Sequence, residues 1–253
     1  HGATGSSAWG YVLAAGSLNN LAATPAAVAG FGGAKGANGF HADGNQFGGR
    51  VTNSVMYATP SMGGFFAEVM WAPGENKNPV AGAANQGASG YTGFRAGYNN
   101  GPLGVTLGYE SIKTAAAVNL SDKTTAWALT AQYDLGVAKV MAIYERAKND
   151  GSAVSGIAAM ADGTDNGWGL GVSIPVGPMS LALSYARETH DSETVGLRDG
   201  KTSAFGVQAI YPLSKRTRLY TSYVGGKSQN AALAGAATST KTSVWNVGMQ
   251  HDF

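Results

Sequence analysis

From about residue 48 onward the chain falls into stretches of roughly ten to twelve residues in which tyrosine, tryptophan or branched side chains occupy alternate positions. The eleven stretches run near 48–59, 64–74, 90–99, 103–113, 123–134, 137–147, 165–175, 178–189, 201–212, 217–227 and 242–253. A period of two places successive side chains on opposite faces of a strand. Strands of soluble domains average about five or six residues, whereas a tilted strand crossing a bilayer takes about nine to eleven. Length and period together therefore favour a sheet that spans a membrane.

The connections carry a second signal, because short and long ones alternate without exception. Pro60-Ser-Met-Gly-Gly64, Asn99-Asn-Gly-Pro102, Asp134-Leu-Gly136, Val176-Gly-Pro178 and Leu213-Ser-Lys-Arg-Thr217 are short and built from turn residues. The connections near 75–89, 114–122, 148–164, 190–200 and 228–241 are long and rich in Gly, Ala, Asn, Ser and Asp. One end of such a sheet is smooth and the other looped, as in barrels with tight periplasmic turns and long external loops. A soluble sandwich, the alternative fold, has no reason to keep that asymmetry.

Parity within the strands gives direction. Leu103, Val105, Leu107 and Tyr109 alternate with Gly104, Thr106, Gly108 and Glu110, and Trp127, Leu129, Ala131 and Tyr133 alternate with Ala128, Thr130, Gln132 and Asp134. The second set is too small and polar to build a dense interior, so lipid is the better solvent for the first. The expected fold class is all-β, a transmembrane antiparallel β-barrel. Trp71, Tyr98, Tyr133, Trp168, Tyr211 and Phe253 fall on the lipid parity and are expected as interfacial girdles, with trimer packing as the alternative for any one of them.

Composition removes competing classes. Charged residues make up 13% of the chain, about half the usual share, and the net charge of +2 is too small for a nucleic-acid footprint. There is no cysteine, hence neither a disulfide nor a thiolate metal site. No apolar run is long enough for a membrane helix, and the opening His1-Gly-Ala-Thr is not a signal peptide. The four histidines, His1, His41, His190 and His251, stand in no Gly-x-Ser-x-Gly, His-Glu-x-x-His or Walker pattern, so neither catalysis nor a cofactor is expected.

Residues 1–47 lack strand alternation and hold one lysine, Lys35, and one acid, Asp43. Placed just before a barrel strand, such a segment would fold inward and narrow a pore.

At this point the residues resemble a known family, the general porins of Gram-negative outer membranes in their neisserial-type, β-proteobacterial branch. The resemblance covers about residues 44–253. It rests on Arg50-Val-Thr-Asn-Ser-Val-Met-Tyr-Ala-Thr-Pro-Ser-Met-Gly-Gly-Phe65, Tyr98-Asn-Asn-Gly-Pro-Leu103, Leu213-Ser-Lys-Arg-Thr217 and the closing Val247-Gly-Met-Gln-His-Asp-Phe253. It implies a sixteen-stranded, homotrimeric barrel whose third external loop folds into the channel. Counted back from Phe253, the strand at Arg50 is the sixth, and residues 1–47 hold the end of strand five plus the constriction loop. About eleven strands, 6 to 16, then lie in residues 48–253. An odd strand number does not close a bacterial barrel, so a chain lacking the first four or five strands is expected.

The function implied is passive diffusion of small hydrophilic solutes. An adhesin-like or substrate-specific barrel is the alternative, and a soluble β-sandwich binding module the third. Arg50, Glu68, Arg95, Glu110, Lys139, Glu145 and Arg218 have inward parity, and Asp43 is the loop's carboxylate. By resemblance Arg50 matches the arginine that follows the constriction loop in anion-preferring members, with Arg95 near mid-height, so small anionic solutes are the expected cargo. Lys139 and Arg218, close to short turns, read more simply as lumen solvation. Arg146 and Arg187 have outward parity near the looped rim, where lipopolysaccharide phosphates or plain solvation would meet them. The resemblance also implies that the terminal strand, through Met249, His251 and Phe253, is the assembly signal read by the barrel-insertion machinery.

Overall fold

The computed structural model describes residues 53–74, 90–115, 121–150, 163–192, 200–230 and 238–252. Eleven strands follow one another as β1 (Val55–Ala58), β2 (Phe65–Ala72), β3 (Gly90–Asn100), β4 (Leu103–Ala115), β5 (Ser121–Asp134), β6 (Lys139–Asp150), β7 (Gly163–Val176), β8 (Met179–Ser192), β9 (Gly200–Pro212), β10 (Thr217–Asn230) and β11 (Thr238–His251). Each pairs antiparallel with its sequence neighbours, giving one sheet in the order β1 to β11. Among the described residues β1 and β11 form its two edges. From β3 onward the strands are 11 to 14 residues long, which suits a tilted crossing of a bilayer.

The short connections close as their residues dictate. Gly63 and Gly64, both at positive φ, join Met62 to Phe65, which exchange two backbone hydrogen bonds of 2.9 and 3.1 Å. That is the primed two-residue turn whose twist matches the strands. Asp134 Oδ1 accepts the Gly136 amide at 2.8 Å, and Ser214 Oγ accepts the amides of Arg216 and Thr217 at 3.1 and 3.0 Å. These bonds satisfy turn amides that the ladder leaves over.

At the opposite end several strands run further than their alternation announces. β6 reaches Asp150, β8 reaches Ser192, and β11 begins at Thr238, paired with Asn230. The first residues of β11, Thr238-Ser-Thr-Lys-Thr-Ser243, are threonine-rich and suit a strand, but both of their faces are polar, so no alternation marks them. The long connections between these ends lie outside the described residues.

Burial is one-sided. Leu129, Trp127 and Tyr144 are exposed, while Ala126, Ala128 and Ala147 pack together on the other face. That second face is crowded. A Cβ at Gly167 would lie 2.6 Å from Glu145 Oε1, and one at Gly97 would lie 2.6 Å from the Phe66 ring. Side chains that converge on one face and splay on the other mark a sheet rolled toward its polar, small-residue side.

Candidate functional site: the inward face and its rim

The expected inward residues that are described do share the crowded face. Register sets Glu68 opposite Arg95, Gly93 opposite Glu110, Lys139 opposite Ser173 and Arg218 opposite Gln250. Arg50, Asp43 and Phe253, and the proposed constriction loop in residues 1–47, lie outside the described residues.

On β2 and β3 the Arg95 guanidinium grips Glu68 in a two-pronged ion pair, with Nε to Oε2 at 3.0 Å and Nη2 to Oε1 at 2.7 Å. Its carbon lies 5.5 Å from the centre of the Phe66 ring. Arg95 is thus held flat along the wall and largely neutralised by its partner. One strand further, Glu110 is fully buried and its Oε2 accepts the Tyr91 hydroxyl at 3.2 Å. Glu145 and Asp165, on β6 and β7, are also buried.

Toward the short turns the face changes character. Arg218 donates through Nε and Nη2 to Gln250 Oε1 at 3.0 and 2.6 Å, and Gln250 passes a bond of 3.1 Å to Asp252. Lys139 lies 4.0 Å from Asp134, both well exposed, an ion pair too solvated to fix either group. Parity located these charges, but their partnerships depend on cross-strand register, which hairpin loop length conceals. Parity alone also places Asp165 and the buried Gln208 on the inward face, with Asp134.

The outward face is apolar through its middle and aromatic toward both ends. Phe65 and Tyr98 touch at 4.6 Å near the short turns, where Tyr133 and Tyr211 also face out. Toward the long connections Phe94 meets Tyr109, Trp127 meets Tyr144, Trp168 meets Tyr185, and Phe205 meets Tyr223, at 5.4 to 5.7 Å between ring centres. Two such aromatic zones flanking an apolar middle are the girdles of a membrane barrel. Beyond the second zone the outward positions are mainly basic, with Asp150, which bonds Lys148 at 2.9 Å, and Asp191 among them. On β4 to β6 the basic residues are Lys113, Lys123, Arg146 and Lys148. On β8 to β11 they are Arg187, Lys201, Lys227 and Lys241.

A family model described as Gram-negative porin matches residues 2–231. The chain belongs to the Gram-negative porin family. Porins are proteins of the bacterial outer membrane, and the lipid-facing girdles fit that place. This porin is 31% identical over 216 residues to outer membrane porin protein 32 of Delftia acidovorans, covering 81% of the chain and 57% of that relative. It is 29% identical over 230 residues to an outer membrane porin protein of Bordetella pertussis, covering 81% and 58%. The chain therefore spans less than two thirds of the length of these relatives. Among solved structures it resembles an anion-selective porin from Comamonas acidovorans, with a TM-score of 0.62 at 28% identity over 85% of this chain and 62% of that one. The trimer form of OmpT, an outer membrane protein of Vibrio cholerae, matches with a TM-score of 0.60 at 14% identity over 78% and 64%, a likeness of fold alone.

Proposed function

We propose that this porin forms a passive, water-filled channel for small hydrophilic solutes with a weak preference for anions, working as a homotrimer. The observation that carries the reading is the division of one membrane-length sheet into an apolar, aromatic-girdled face and a polar, charged one. Lipid solvates the first and water the second, and the channel requires neither a chemical step nor a cofactor.

The likeness to an anion-selective porin supports the direction of the preference. The described inward charges do not supply that preference, because carboxylates outnumber cations among them. Arg95, Lys139 and Arg218 face Glu68, Glu110, Asp134, Glu145 and Asp165, so excess positive charge on the wall would have to come from residues such as Arg50. Entry to the membrane is assigned to the barrel-insertion machinery acting on the terminal strand, where Met249 and His251 face outward together with Trp245 and Val247.

Planar-bilayer recording tests the whole reading. Stepwise conductance without added ligand, with a reversal potential displaced weakly toward the anion side, is expected. Silence, or current that needs a ligand, would replace the diffusion channel with a ligand-recognising barrel. Deleting Phe253 should reduce insertion while leaving export to the periplasm intact. Undiminished insertion would remove the assembly role of the terminus.

A further inference from the structure

The inward wall is not uniform along the sheet. On β2 to β6 it carries Glu68, Arg95, Glu110, Lys139 and Glu145, whereas on β9 to β11 it is polar and nearly free of charge. Those three strands contain no aspartate or glutamate, and Arg218, close to the short turns, is their one inward cation.

Tyr220 is the one inward aromatic residue of this stretch, and Gly248 stands opposite it. A Cβ at Gly248 would run into the Tyr220 ring at Cζ and Oη. Glycine therefore lets the half-buried ring lie over the β11 backbone, with its other face toward the lumen. Polar pairs flank the ring. Toward the short turns Arg218 donates twice to Gln250 Oε1, and toward the middle of the strands Asn246 Nδ2 donates to Ser222 Oγ at 3.4 Å. Each pair is two residues from Tyr220 or Gly248, about 7 Å along the strand. Gln208, opposite Ser222, is 4% exposed, and its Oε1 has no hydrogen-bond partner. A buried acceptor of that kind calls for a donor from outside the wall.

We propose that this patch is a solute subsite that binds a neutral pyranose sugar. The apolar face of the sugar ring stacks on Tyr220, and its hydroxyls bond Asn246 and Ser222 on one side and Arg218 and Gln250 on the other. Gln208, beside Ser222, supplies an amide oxygen that no protein donor occupies. The mixture of groups decides the charge of the ligand. An anion is held by donors alone, yet Ser222, Asn246, Gln208 and Gln250 all present acceptor oxygens. Arg218 is already tied to Gln250, which in turn bonds Asp252. A hydroxyl both donates and accepts, and so matches such a wall, while the tyrosine selects a ring over an open chain. Affinity in the millimolar range suits a channel, which a solute must leave as readily as it enters. The subsite rests on the reading of this face as the wall of a water-filled channel.

The test uses the purified, folded protein in a detergent without a sugar headgroup, with binding read by saturation-transfer NMR. The probes are methyl β-glucoside, sorbitol and glucuronate, which are a neutral ring, an open-chain polyol and an anionic ring. The glucoside should bind with saturation concentrated on the protons of one ring face, and sorbitol should bind about tenfold more weakly. Tyr220→Ala should weaken glucoside binding about tenfold, whereas Tyr220→Phe, which keeps the ring, should stay within about threefold of the parent. Asn246→Leu should weaken it about fivefold through lost hydrogen bonds. Ser184→Ala, an inward hydroxyl on β8 away from the ring, should change nothing. The heat-induced shift in gel mobility confirms that each variant is folded.

Unchanged binding by Tyr220→Ala would overturn the site, and so would the absence of saturation transfer to the glucoside at about 0.1 M. Equal affinity for sorbitol would overturn the stacked ring, and equal or tighter binding of glucuronate would make the patch an anion site. Conductance recorded on the same preparations separates the subsite from the channel. A conducting parent that ignores the glucoside loses the subsite and keeps the channel, while a silent parent that binds it through Tyr220 loses the channel and keeps the sugar site.

Discussion

The two faces of this sheet share every backbone hydrogen bond yet handle charge in opposite ways. On the inward face charges meet partners across the ladder: Arg95 is clasped by Glu68, Glu110 receives Tyr91, and Arg218 is shared with Gln250. On the outward face charge is absent from the apolar middle, and the basic residues gather at one end, beyond the aromatic zone. A water-filled lumen tolerates both signs at any height, because water and neighbouring carboxylates screen them. A lipid-facing surface tolerates charge only where headgroups begin. The distribution of charge along the strands therefore reports which solvent each face meets.

The contrast breaks most severely if a charge is moved to the wrong face. Leu129→Arg, in the middle of the outward face, should cost about 2–4 kcal/mol and sharply lower the inserted fraction, measured by heat-modifiable gel mobility. Thr130→Arg, its inward neighbour, should insert nearly normally and show itself as reduced single-channel conductance. If the two variants insert equally well, the faces have been assigned the wrong way round.

The inward face should be more sensitive to volume than to charge. Gly167→Val would drive side-chain atoms into Glu145, whose Oε1 already lies 2.6 Å from the added Cβ. Overpacking of this kind costs about 1–3 kcal/mol, read as a lower unfolding temperature in detergent. Gly136→Ala, in the turn between β5 and β6, has open space around it but a φ of 81°. Its penalty should be smaller, about 1 kcal/mol, and come from backbone strain alone. A larger loss at Gly136 than at Gly167 would show that turn conformation outweighs inward crowding.

Most of the fold was legible because period two and turn chemistry are local properties. Trp127, Leu129 and Tyr133 declared their face without knowledge of any other strand, and Gly63-Gly64 and Asp134-Leu-Gly136 declared their turns. What stayed hidden needed register. The sequence offers Glu68 and Arg95 as two inward charges separated by a long connection, and only the β2–β3 pairing makes them partners. The threonine-rich start of β11 was hidden for another reason, since both its faces are polar and length had to be read from pairing. The basic end shows the same limit: Lys227 and Lys241 look like isolated rim charges until the β10–β11 ladder sets them side by side.

The smallest expected effect bears on the Arg95–Glu68 pair, and its sign matters more than its size. Both side chains remain about one third exposed, so the pair should contribute under about 1 kcal/mol to stability after screening by water. Its weight in conduction is different, because an ion passing the wall meets the sum of the two charges, which is near zero while they are paired. Glu68→Gln leaves the guanidinium uncompensated and should displace the reversal potential in a salt gradient by a few millivolts toward the anion side. Arg95→Ala leaves the carboxylate uncompensated and should displace it by a similar amount the other way. The double variant should return close to the parent, since removing both members restores a neutral wall. Lowering the salt should enlarge all of these displacements, as the Debye length grows from about 10 Å at 0.1 M to about 30 Å at 0.01 M. If the two single variants shift the potential in the same direction, or not at all at low salt, the pair does not border the ion path. The selectivity then belongs to other residues, and the inward face of β2 and β3 is a structural wall.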